Sequence, residues 1–206
     1  MAKTPIIHLH KGDFPSSLAF TGSVAIDTEA TGLEHRHNRL CLVQLSSGDG
    51  VCHLIQIQKG VDSPNLVRLL EDQNIEKIFH FARFDVAILY KHFGVRCTPL
   101  YCTKIASKLS RTYTDRHSLK ELCKHLLKVE LSKQEQTSDW GAETLTDAQQ
   151  LYAATDVLQL HALKEKLEAL VRREGRTHIA KAAFDFLPTK AELDLLGFED
   201  PDLFRH

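Results

Sequence analysis

Apolar and polar positions alternate with period two through the first half of the chain and recur at helical spacing through the second. Alternation over 5–10, 23–29, 40–45 and 51–57 predicts four strands, because successive strand side chains point to opposite faces. Ser47-Gly48-Asp49-Gly50 joins the last two as a hairpin. Ser63-Pro64 opens a short helix over 63–72, with serine as cap and proline in the first turn. A strand around 76–81 follows, then a helix over 83–93 that Gly94 stops. Ser118-x-x-Glu121, Thr146-x-x-Gln149 and Thr189-x-x-Glu192 read as three more helix starts, each capped reciprocally. The helix from Thr146 lines up Val157, Leu160, Leu163, Leu167 and Leu170 on one stripe. The pattern predicts an α/β domain with a mixed sheet and packed helices.

Composition narrows the class. A chain of 206 residues can bury a sizeable core in one domain. No apolar run approaches the roughly 20 residues of a membrane span, and no leader pattern opens the chain. The five cysteines are odd in number and form no Cys-x-x-Cys pair, which disfavours a disulfide framework or structural zinc. A reducing cytoplasm is the expected setting. A formal net charge of −1 argues against coating long nucleic acids by charge alone. Residues 101–133 nevertheless carry eight Lys/Arg against three Asp/Glu, either a solvated face or a phosphate-facing surface.

The carboxylates carry the chemistry. Asp27 and Glu29 are two apart on a predicted strand, so they share a face roughly 7 Å apart. Two like charges there repel unless a cation resolves them. Asp85 falls early in a helix, where the positive helix end favours its ionised form. Tyr152 and Asp156 are four apart on a helix and share a face, with small Ala153 and Ala154 between them letting the helix approach a sheet. Four such carboxylates suit two hard ions, Mg²⁺ or Mn²⁺, and two ions can clamp an in-line phosphoryl displacement. The twelve histidines form no His-x-x-x-His pair, which disfavours zinc.

Asp27-x-Glu29, Asp85 and Tyr152-x-x-x-Asp156 resemble, in that order, the three motifs of the DEDD 3′-5′ exonucleases, in the subclass with tyrosine in the third. Leu40-Cys-Leu-Val-Gln-Leu45, Lys77-Ile-Phe-His80 and Lys133 to Ser138-Asp-Trp140 extend the resemblance to ribonuclease D over about residues 20–170. The resemblance implies an RNase H-like fold, a central mixed sheet flanked by helices. It also implies roles: Asp27 bridging two metals, Glu29 and Asp156 on the nucleophile-side ion, Asp85 supporting the second through water. Tyr152 would orient the attacking water, since a phenol with a pKa near ~10 is a poor base at neutral pH.

About fifty residues follow Asp156, fewer than the helical RNA-binding domains of ribonuclease D need. In length the chain looks like the short nanoRNase C group. That resemblance implies dinucleotide RNA as substrate and a closed homo-oligomer, an octameric ring among its forms. The expected layout is an exonuclease domain over 1–172 and a helical extension with an apolar tail over 173–206. That tail docks either on its own domain or on a neighbouring subunit. The competing functions are a general exonuclease on longer RNA or DNA and a silent nucleic-acid-binding module.

Further candidates surround the metal site. Thr28 lies between the strand carboxylates. The family resemblance makes Leu33 a wedge between two terminal bases, against the plain alternative of a core leucine. His80, Phe81 and Arg83 precede Asp85 and suit base stacking or phosphate contact, although for Phe81 core packing is the preferred reading. Lys133, Gln136 and Trp140 form a polar loop suited to the substrate backbone, unless Trp140 simply anchors it.

Overall fold

The computed structural model describes residues 5–131, 138–199 and 203. Its core is one six-stranded sheet in the order β1-β4-β3-β2-β5-β6. The strands are β1 (Ile6–Lys11), β2 (Ser23–Ala30), β3 (Leu40–Ser46), β4 (Val51–Gln56), β5 (Glu76–Phe79) and β6 (Leu100–Cys102). β2 pairs antiparallel with β3 and parallel with β5, so the sheet is mixed as its pattern predicts. Every residue of β3 is buried, the mark of a central strand covered on both faces. β1 lies at one edge and is mostly exposed or half-buried.

The helices are α1 (Pro64–Glu71), α2 (Ala82–Phe93), α3 (Thr103–Ser110), α4 (Leu119–Leu122), α5 (Asp147–Leu158), α6 (Leu160–Arg173) and α7 (Thr177–Leu195). A single π-helical turn, Cys123–Leu127, continues α4. α5 packs across β2, β3 and β4, while α7 runs mainly along α2. Fully buried Ala153, Ala154 and Val157 form the face that α5 lays on the sheet.

Several local expectations change in the folded chain. β6 and α3 lie where the alternation is too short to read; three residues are enough for β6 because β5 supplies its ladder. The predicted strand over 76–81 ends at Phe79, because Phe81 turns the chain with a positive φ of 68°. The helix from Thr146 breaks at Gln159 into α5 and α6, though Val157, Leu160, Leu163 and Leu167 remain one buried stripe. Thr189 starts no helix: it lies inside α7, which also carries Pro188. There the Thr189 hydroxyl accepts from Arg96 at 3.1 Å and Glu192 pairs with Arg96 at 2.8 Å, so the residues of the apparent cap serve a tertiary contact.

α1 is likewise capped from a distance. Ser63 donates its hydroxyl to the Gly12 carbonyl at 2.6 Å, and the Asp13 carboxylate accepts from the backbone N–H of Asn65 and Leu66 at 2.7 and 3.1 Å. Asp13→Ala leaves those two donors unpaired and should cost about 1 kcal/mol, the usual scale for a lost cap. Urea unfolding should show a lower midpoint at unchanged slope, with nuclease activity at the native temperature intact.

Candidate metal and catalytic centre

The site forms where β2, α2 and α5 meet. Asp27 and Glu29 project from one face of β2, and the ladder with β3 shifts register between Glu29 and Ala30. Such a bulge re-aims the side chains beside it. α5 brings Asp156 to the same place: Asp27, Glu29 and Asp156 each offer an oxygen lying within 4.8 Å of the other two. Asp85 sits behind them in the first turn of α2, buried, and accepts the Thr28 hydroxyl at 2.7 Å. Thr28 thus braces a carboxylate from the opposite face of β2. The Tyr152 hydroxyl lies near the Asp156 carboxyl, one helical turn on, and the Trp140 ring packs 6.1 Å from the Tyr152 ring.

Electrostatics mark the cluster as short of positive charge. Burial, then the charges of Asp85, Asp156 and Glu29, hold Asp27 well above the usual carboxylate range. Burial, then Asp156 and Asp85, push Glu29 up to about 9. Asp85 rises to about 7 through burial, against the opposing hydrogen bonds of the Thr28 hydroxyl and backbone N–H groups. Asp156 also rises to about 7 through burial, opposed by Tyr152. Burial and then the carboxylates Asp156, Glu29 and Asp27 push the Tyr152 phenol up, away from any range in which it ionises at neutral pH. Once ionised, these carboxylates are acceptor-only groups, which fit hard cations with oxygen preference.

The remaining candidates divide. Leu33 is 90% exposed, which rules out a core leucine. Phe81 is 47% exposed rather than packed in the core, and the Lys104 ammonium sits 3.9 Å over its ring. His80 is turned to Thr103, with a 2.9 Å contact between Nδ1 and the hydroxyl, and burial followed by the Lys104 charge lowers it to about 3. Arg83 is engaged by Asp194 of α7, at 2.6 and 2.9 Å. Trp140 is only 3% exposed and packs as an anchor behind Tyr152. Lys133 and Gln136 lie outside the described residues.

One residue was missed. Gln44 stands opposite Asp27 in the β2–β3 ladder and is fully buried, and neither amide atom has a protein partner among the described residues. Directly opposed strand residues share a face. The only signal in the sequence is a lone polar residue within the apolar run of β3.

The raised carboxylates set a pH dependence. Their folded-state proton affinity exceeds the unfolded value of 3.8 for Asp or 4.5 for Glu. Their contribution to metal-free stability is therefore fully present below about pH 4 and is lost as pH rises through about 7 and then about 9. In chelator, Tm should fall from about pH 5 to about pH 9, less steeply in Asp27→Asn/Glu29→Gln. Mg²⁺ should raise Tm more at the alkaline end, by linkage to the folded state. Parallel wild-type and variant profiles in chelator would remove this account.

Comparison with known proteins agrees with this geometry. The chain matches the 3′-5′ exonuclease family over residues 12–172. It is 33% identical over 182 residues to ribonuclease D of Gluconacetobacter diazotrophicus, covering 88% of this chain and 43% of that protein. The chain thus spans less than half the length of that curated relative. It is 35% identical over 146 residues to DNA polymerase I of Aquifex aeolicus, covering 71% of this chain and 24% of the polymerase. Among solved structures, Brucella melitensis NrnC bound to pGG superposes with a TM-score of 0.94 at 54% identity, covering 98% of this chain and 99% of that one. The same protein with bound Mg²⁺ gives 0.93 at 53%, again covering 98% and 99%. A mixed sheet carrying clustered carboxylates, matched over most of the chain by family and relatives alike, places this protein in the ribonuclease D branch of the 3′-5′ exonucleases.

Proposed function

We propose that this exonuclease hydrolyses very short RNAs, dinucleotides above all, to nucleoside 5′-monophosphates, using two divalent ions held by Asp27, Glu29, Asp85 and Asp156. The observation that carries the reading is the convergence of Asp27, Glu29 and Asp156 oxygens within 4.8 Å, in a chain alike over nearly its whole length to a nuclease solved with pGG. Bound Mg²⁺ or Mn²⁺ supplies an activated water and a counter-charge for the leaving 3′ oxygen.

The protein's own groups do the rest. Asp27 is central, touched electrostatically by the other three carboxylates, and is the natural shared ligand. Asp85, fixed by Thr28, backs it from α2. Tyr152 stays protonated and orients the nucleophile through its hydroxyl, with Trp140 limiting its swing. Leu33 projects into solvent on the loop after β2, where an apolar wedge can separate two bases. The Phe81 ring beside Lys104 offers stacking next to phosphate-compatible charge. We further propose a cytoplasmic homo-oligomer, an octameric ring being one form. The apolar Leu196, Phe198 and Leu203, exposed in the single chain, support contact between subunits. No helix among the described residues is long and apolar enough to cross a membrane.

A second reading, a general 3′-5′ exonuclease on longer RNA or on DNA, draws on the likeness to a DNA polymerase. A length series from two to about twenty nucleotides, in RNA and DNA, separates the two. The dinucleotide reading expects kcat/KM to be highest for two-nucleotide RNA, and equal or rising efficiency with length would overturn it.

Asp27→Asn, Glu29→Gln, Asp85→Asn and Asp156→Asn should each abolish turnover while leaving the metal-free fold as stable or slightly more so. Full activity in any two would sink the two-ion assignment. Tyr152→Phe should lower kcat on the order of 10²-fold with metal binding retained. A collapse in substrate affinity at normal kcat would instead make Tyr152 a binding residue.

A further inference from the structure

α7 and the residues that follow it reach back to the two segments that flank the carboxylate cluster. Asp194, fully buried in the last turn of α7, accepts Arg83 Nε at 2.6 Å and the second guanidinium nitrogen at 2.9 Å. Lys190 adds a third contact to the same carboxylate at 2.7 Å. Burial alone would raise this carboxyl; the hydrogen bonds and charges of Arg83 and Lys190 outweigh it and hold Asp194 below the usual range. Arg83 lies in the first turn of α2, two residues after Phe81 with its left-handed backbone and two before Asp85. That turn has no side-chain cap of its own.

Beyond α7 the chain turns at Gly197, whose φ of 99° favours glycine, and reaches the loop that carries Leu33. Glu199 comes within 3.9 Å of Nε2 of buried His35, and the His35 ring sits edge-on to Phe84, 6.2 Å away. One short C-terminal stretch therefore touches both the turn bearing Phe81 and Asp85 and the loop bearing Leu33. Those two segments are distant in sequence.

The geometry points to Asp194 as a positioning residue for the substrate cleft: by clamping Arg83 it fixes the Phe81–Asp85 turn against the Leu33 loop. This rests on the proposal that Leu33 and Phe81 hold the terminal bases. A bidentate Arg–carboxylate pair constrains direction as well as distance, which suits it to this task. A cleft displaced by even about 1 Å can lose on the order of 10²-fold in rate.

The test is a double-mutant cycle between Asp194→Asn and Leu33→Ala, read on full-length protein with Mg²⁺ and 5′-phosphorylated GG RNA, alongside Tm. Asp194→Asn is expected to lower kcat/KM on the order of 10-fold or more, mostly through KM, and Leu33→Ala should then add little. Should Asp194→Asn fail to fold, Arg83→Lys takes its place, keeping the charge but losing the bidentate fork. Unchanged kcat/KM would overturn the proposal. So would losses that simply multiply in the double variant, since Asp194 would then support the fold without arranging the cleft. Wild-type protein is run first on the length series. If it fails on two-nucleotide RNA, the dinucleotide reading falls alone, and the cycle is read on the RNA length that it does cleave.

Discussion

The structure is organised around one unfavourable interaction, the mutual repulsion of Asp27, Glu29, Asp85 and Asp156 in a partly dehydrated pocket. Without a cation these groups cannot all ionise, and each carries a raised proton affinity as a result. Holding them together requires a scaffold that does not relax, which is what β2 and β3 provide at the centre of a covered sheet. The two alanines of α5 let Asp156 approach the strand carboxylates, and the Thr28 hydroxyl holds Asp85 from the other face. The repulsion is the form in which the fold stores affinity for divalent ions.

Support for the site is spread over side chains that never touch the carboxylates. Trp140 sits behind Tyr152, and Arg83 is tied into α7. Of the candidates near the site, Leu33 and Phe81 face solvent. The centre thus anchors its carboxylates and their supports inside the fold and leaves these two apolar side chains facing outward.

Much of this was legible without coordinates. The period-two alternation located the first four strands, and the order Asp-x-Glu, Asp, Tyr-x-x-x-Asp singled out four carboxylates and a tyrosine that the fold brings close together. Strand and helix periodicity alone put the members of each pair on one face. Local signals failed where a distant part of the chain had taken over the same groups. Thr189 and Glu192 look like a helix start because serine-threonine caps are local, but Arg96 claims both residues and α2 supports a helix that runs straight past them. Ser63 looks like the cap of α1, yet Asp13 does that work from fifty residues away in sequence.

What the sequence determined by itself was the carboxylate pattern, the kinds of element that carry it, and the family. That information is local, carried by spacing and by residue type. Only the tertiary structure decided which of the neighbouring residues face protein and which face solvent. Arg83 and Trp140 turn toward protein, Leu33 and Phe81 toward solvent, and Gln44 is buried opposite Asp27. Nothing in their spacing distinguishes these outcomes, because each depends on what another element brings to the same place: Asp194 from α7, Tyr152 from α5, the ladder of β3.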